Sequence, residues 1–196
     1  MKAFGYLILI LLVGCGSSTT IGRLDTKQTT DVSGRWNDSD SRLVAEAMVK
    51  DLINKNWLRD YELEKNKKPV VIVGRIRNLS SEHIAMNTFV NDMARELING
   101  GKVVFVADKE ERKEIRNERM EQQSYSSVET TKELAEETGA DFILQGSLTS
   151  ITDAIEGQAT KYYQVDLELI NIGNNQKVWI GSHKIKKMVE RSSYKW

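Results

Sequence analysis

KYYQVDLELINIGNNQKVWIGSHKI, residues 161–185, sets the fold. From Lys161 to Ile172 apolar and polar side chains alternate. Val165, Leu167 and Leu169 fall on one face, and Asp166 and Glu168 on the other. Period-two alternation is the mark of a half-buried strand. Gly173-Asn174-Asn175 is turn chemistry, and Lys177 to Ile185 returns as a paired strand. The reading is an antiparallel hairpin with one wet face.

Working backwards, DFILQGSLTS (141–150) is a further strand, preceded by a helix over 128–138 that stops at Gly139. DKEERKEIRNERMEQQ (108–123) interleaves both charge signs around Ile115 and Met120, the pattern of a solvated helix. Lys102 to Ala107 is a short apolar strand. Before it, Val90, Met93, Ala94, Leu97 and Ile98 form a helical stripe that Asn99-Gly100-Gly101 ends and that Ser80 or Ser81 can cap. Pro69-Val-Val-Ile-Val73 is a buried strand continuing through Gly74 towards Arg77. The first helix opens at Asp38, Ser39 and Asp40, with Leu43, Val44, Ala47, Met48 and Leu52 on its buried side. Strands alternate with helices early and cluster late. This predicts a two-layer α/β domain over residues 36–196, with a mixed sheet covered by helices on at least one face.

Charge excludes one class of function. The chain has 28 basic and 28 acidic residues, so counterion-driven binding to nucleic acid has no support. One cysteine in 196 residues cannot form an internal disulfide. That cysteine closes MKAFGYLILILLVGC, where an apolar run from Ala3 to Val13 is too short for a bilayer span of roughly 20 residues. Leu12-Val13-Gly14-Cys15 resembles a bacterial lipobox. The resemblance implies a signal peptide over 1–14, cleavage before Cys15, and acylation of its sulfur and its new amine. Two or more chains hold a protein stably on a membrane where one does not. Gly16, rather than Asp, after the cysteine resembles the outer-membrane pattern. Residues 15–35 are rich in Ser, Thr, Gly and Asp and read as a lipidated flexible tether, reaching at most roughly 70 Å.

No constellation for catalysis is present in the sequence pattern. His83 and His183 lie in no ligand-spaced motif, no G-x-S-x-G elbow occurs, and no glycine-rich phosphate loop follows VVIVG. Neither a metal nor another cofactor is expected, and binding is the default activity. Of the four tryptophans, Trp179 belongs to an alternating strand and Trp57 follows the first helix, so both are expected to pack. Trp36, in a polar context, suits either a staple on the domain or an anchor for a partner. Exposed charge at Arg75 and Arg77 completes the candidate partner-binding set.

SGRWNDSDSRLVAEAM (33–48), ETGADFILQGSL (137–148) and YQVDLELINIGNNQKVWIGSHKIKK (163–187) together resemble the LpoB-like lipoproteins, activators of penicillin-binding proteins. The order of these segments, with a tryptophan just before the first helix, carries the resemblance. It implies an envelope lipoprotein, held by lipid at the outer membrane and facing the periplasm. It further implies docking on a peptidoglycan synthase, a class A penicillin-binding protein, and allosteric activation of it. Gly-Ala-Asp-hydrophobic followed by Gly-Ser also occurs in curli-secretion and TolB amino-terminal domains. A curli-secretion-type subunit, or another tethering or binding lipoprotein of the envelope, is therefore the alternative.

Overall fold

The computed structural model describes residues 20–106, 109–124, 139–155 and 157–190. Four helices and five strands follow one another as α1 (Asp38–Ile53), α2 (Asn56–Lys65), β1 (Val70–Asn78), α3 (Met86–Gly100), β2 (Val104–Phe105), α4 (Lys109–Ser124), β3 (Phe142–Ile155), β4 (Gln158–Asn171) and β5 (Lys177–Glu190). The sheet order is β2-β1-β3-β4-β5. β1 pairs in parallel with β2 and β3, while β3, β4 and β5 form an antiparallel meander. The fold is the expected α/β arrangement with a mixed sheet ending in an antiparallel hairpin. The helix expected over 128–138 and the lipobox at Cys15 lie outside the described residues.

Alternation along β4 decides which way the sheet faces. Tyr163, Val165, Leu167 and Leu169 are buried and join Phe142, Leu144 and Leu148 of β3 and Trp179 of β5. Against this face pack α1 through Val44, Ala45, Met48, Val49 and Leu52, and α3 through Phe89, Met93 and Leu97. Burying a side chain of this size contributes about 1.5–3 kcal/mol each.

Details depart from the sequence reading for physical reasons. Leu43 is 42% exposed and Ala45 takes its place, because the buried stripe of α1 is rotated by about one residue. Ile98 likewise faces solvent, and Phe89 joins Met93 and Leu97 on the buried side of α3. Ser80 and Ser81 do not cap α3. Ser80 bonds Asn78 and Glu82 within the β1–α3 loop, and α3 starts at Met86 without a side-chain cap. Gly101 does end α3, at φ 62° in the left-handed region where Gly carries no Cβ penalty.

Helix α2, absent from the sequence reading, buries Trp57, Leu58 and Tyr61 in the core, near the start of the central strand β3. Trp57 and Tyr61 meet Phe142 edge-on at centroid distances of 5.1 and 5.3 Å. β2 shrinks to Val104–Phe105, because only these two residues pair with β1. The meander strands outrun their expected ends. Each is 14 residues long, and β3 continues to Ile155 where the expectation stops at Ser150. Since β1 ends opposite Leu148, the last rows of the meander project beyond the rest of the sheet.

Candidate functional site

The amino-terminal turn of α1 carries a dense polar network. Asn37 and Asp40 form a reciprocal cap: Asp40 N–H donates to Asn37 Oδ1 (3.0 Å) and Asn37 N–H to Asp40 Oδ2 (2.9 Å). Asp40 is buried, and its carboxylate also receives Lys187 Nζ from β5 at 2.5 Å. Lys187 is only 8% exposed. Its ammonium has three donors, and it donates as well to Asp31 Oδ1 (2.6 Å) and the Arg35 carbonyl (3.2 Å).

These bonds bring a strap onto the domain. Residues 27–35, which the sequence assigns to the tether, are held along α1 and the ends of β4 and β5. Arg42 Nη2 donates to the Lys27 carbonyl, Ser39 Oγ to that of Gln28, Asn37 Nδ2 to that of Thr30, and Tyr163 Oη to that of Gly34. Gly34 has φ 65°, and a Cβ there would lie 2.2 Å from Val189 Cγ2, so no larger residue fits without movement.

Trp36 ends the strap. It is half-buried, edge-on to Tyr163 (5.7 Å) and Phe89 (6.3 Å), and its backbone N–H donates to Glu82 Oε2 at 3.3 Å. Glu82 in turn pairs with Lys161 Nζ at 2.6 Å. Burial works to raise the Glu82 carboxyl, but bonds from Lys161, Tyr163 and Trp36 outweigh it and hold it below the ordinary range. Burial and the neighbouring Glu82 carboxylate push the Tyr163 hydroxyl far above the usual tyrosine range.

Arg75 and Arg77 stand elsewhere. Both are exposed on β1, where pairing with β3 shifts register between Val73 and Ile76. Arg75 lines a groove of about 340 Å³ along α3, with Met86, Val90, Ala94 and Phe105 among its walls. Trp36 borders a different recess, of about 310 Å³, on another side of α3 beside Thr88 and His83. The structure thus does not bring Trp36 and the two arginines into one site. Cys15 lies outside the described residues.

Part of the outer side of the meander carries a polar network. Gln145 Nε2 donates to Glu168 Oε1 (3.0 Å), and Lys177 Nζ pairs with Oε2 of the same carboxylate (2.6 Å). Gln164 Nε2 donates to Asp166 Oδ2 (2.7 Å), and Gln164 Oε1 accepts from Tyr162 Oη (2.9 Å). Lys177 first, and then Gln145, hold the Glu168 carboxyl below its ordinary range. Gln145 and Lys177 reach Glu168 across strands, while Tyr162, Gln164 and Asp166 bond one another along β4.

Lys187 and Glu82 are the residues that sequence reading missed. One signal was available for Lys187: it shares strand parity with Trp179 and so points to the core side, where a lysine requires a partner.

The arrangement is an α/β domain with an apolar core and carboxylates engaged in structural pairs. Comparison with known families gives the class its name. The family described as peptidoglycan-synthase activator LpoB matches residues 40–185, well over half of the chain, and the protein belongs to that family. It is a family of regulators rather than of enzymes. Among solved structures, the chain is similar to the LpoB C-terminal domain from Salmonella enterica at 14% identity and TM-score 0.44, covering 76% of this chain and 99% of that one. The Escherichia coli LpoB C-terminal domain gives 15% identity and TM-score 0.43 over the same shares. Lipoprotein GNA1162 from Neisseria meningitidis gives 15% identity and TM-score 0.38, covering 65% of this chain and 88% of that one. No curated protein matches the chain.

Proposed function

We propose that this protein is an envelope lipoprotein that docks on a class A penicillin-binding protein and activates it allosterically. Cys15 carries the lipid, and the folded domain faces the periplasm from the outer membrane. The family match across residues 40–185, which spans α1 to β5, carries this reading. Among the described residues no helix is long and apolar enough to cross a membrane, so in this reading attachment falls to the lipid.

The mechanism is a difference in affinity. An activator that binds the working conformation of the synthase better than the resting one shifts the population towards it; a coupling of about 1–3 kcal/mol gives roughly 5- to 150-fold. The polar network on the outer side of β3–β5 suits such a docking surface, because its hydrogen-bonded side chains are already ordered before the partner arrives. Arg75 and Arg77 are candidate contacts at β1. Trp36 serves as the staple that fixes the strap to the domain.

The test is glycan polymerisation by a class A synthase from the same cell, with and without the lipid-free chain. Stimulation that saturates with the domain supports the reading. An unchanged rate at saturating domain sinks it.

A further inference from the structure

The projecting end of the meander gathers exposed apolar side chains on one face. Beyond Leu148 the strands β3, β4 and β5 continue without β1, and their outer side carries Ile151, Ile155 and Met188 at 65%, 77% and 71% exposure. Register puts these into successive rows: Ile155 with Gln158 and Glu190 at the extreme, Met188 with Thr160 and Asp153 next, then Ile151 with Tyr162 and Lys186. Lys184 follows one row further back, beside Gln164. Along β5, Lys186 and Lys184 therefore trail Met188 by about 7 and 14 Å. The order is apolar side chains leading, then an aromatic and two exposed lysines.

We infer that this tip seats on a phospholipid surface. Isoleucine and methionine enter the acyl boundary, Tyr162 sits at headgroup level, and Lys184 and Lys186 reach lipid phosphates, the arrangement that favours interfacial binding. Asp153, in the Met188 row, and Glu190 at the extreme keep the contact shallow. Two further observations select this occupant. The chain leaves β5 at Glu190 in the extreme row, and the sequence that follows, RSSYKW (191–196), is rich in basic and aromatic residues. The strap also lies at this end, with Asp31 and Arg35 on Lys187 and Gly34 against Val189.

The inference rests on the reading of Cys15 as the lipid-bearing residue for its strength, not for its chemistry. The chain from Cys15 to Lys27 spans at most about 40 Å. An anchored tip is thus held near the bilayer at an effective concentration on the order of millimolar, where a weak contact is occupied.

The test uses the lipid-free chain starting at Gly16, which retains every core residue from Val44 to Trp179. It is floated with vesicles of phosphatidylethanolamine and phosphatidylglycerol. The expected result is co-flotation, reduced roughly tenfold or more by Ile151→Asp, Ile155→Asp and Met188→Asp together. These side chains are exposed, and circular dichroism of the triple variant checks that it folds. A fluorophore on Ile155→Cys in the lipidated protein should shift to the blue in vesicles, and one on Asn174→Cys at the opposite turn should not. Absence of flotation, or equal flotation of the triple variant, overturns the inference. So does sedimentation showing that the three residues instead hold two copies together. Mass analysis of Cys15 and the vesicle-free polymerisation assay report separately on the anchor and on activation.

Discussion

Two faces of one strand, β4, are separated by a single residue step and obey different rules. Tyr163, Val165, Leu167 and Leu169 are sealed under α1 and α3, whereas Gln164, Asp166 and Glu168 form a wet ladder with Gln145 and Lys177. The buried face owes its stability to excluded area, and so to the identity of each side chain. The outer face owes little stability to any one residue and is free to carry recognition. A structural role and a partner-facing role can thus be told apart by substitution.

The largest effect should come from the sealed face. Leu167→Ala leaves a cavity among fully buried neighbours and should cost about 2–5 kcal/mol in urea unfolding. A loss below about 1 kcal/mol would break the comparison, since it would put Leu167 on a yielding surface.

Next comes Lys187→Met, which strips the cation from buried Asp40 and should cost about 3 kcal/mol. Pairing it with Asp40→Asn sharpens the point: the double variant should lose less than the two singles summed, because no unpaired charge remains. Strict additivity would mean that the pair is not coupled.

A smaller effect is expected from Glu82, through pH. Its carboxyl is held below its ordinary value of 4.5 in the folded protein, so the unfolded chain binds the proton more readily. The stability it contributes is fully present above that ordinary value and is lost as pH falls through the folded value. Glu82→Gln should therefore show a flatter stability profile in acid than the parent chain. Matching slopes would remove Glu82 from the network.

The least effect on stability belongs to the outer ladder. Glu168→Gln gives up the bridge to Lys177 and should cost only about 0.2–1 kcal/mol. In the polymerisation assay the same substitution, combined with Asp166→Asn, should lower synthase stimulation. Loss of stimulation with intact stability places recognition on this face; no change directs attention to Arg75 and Arg77.

The same contrast explains what could be read from the sequence. Leu167 and Asp166 announce β4 because burial writes a period of two into the chain. The ends of β3 and β5 were hidden because Ile151 and Ile155 face outward and Lys187 faces inward, which inverts the usual correlation of polarity with exposure. Helix α2 was missed because NWLRDYELEK buries only Trp57, Leu58 and Tyr61 amid charges, too short a stripe to show a period. The strap was illegible for a different reason. Its contacts accept through the backbone carbonyls of Lys27, Gln28, Thr30, Gly34 and Arg35, and a carbonyl is the same whatever residue bears it. Only Asp31 and Gly34 leave a trace in composition, and either passes for linker. Trp36 and the arginines were named from residue type alone, which tells neither their neighbours nor their distance from each other.

The strap also carries a timing. Lys187 lies 156 residues after Asp31 and 147 after Asp40, so the clasp joins the first ordered segment of the chain to nearly the last. A chain made from its amino terminus cannot close it until β5 has arrived. Through almost all of synthesis the strap is therefore held by its bonds to α1 alone. Only the finished sheet draws it in.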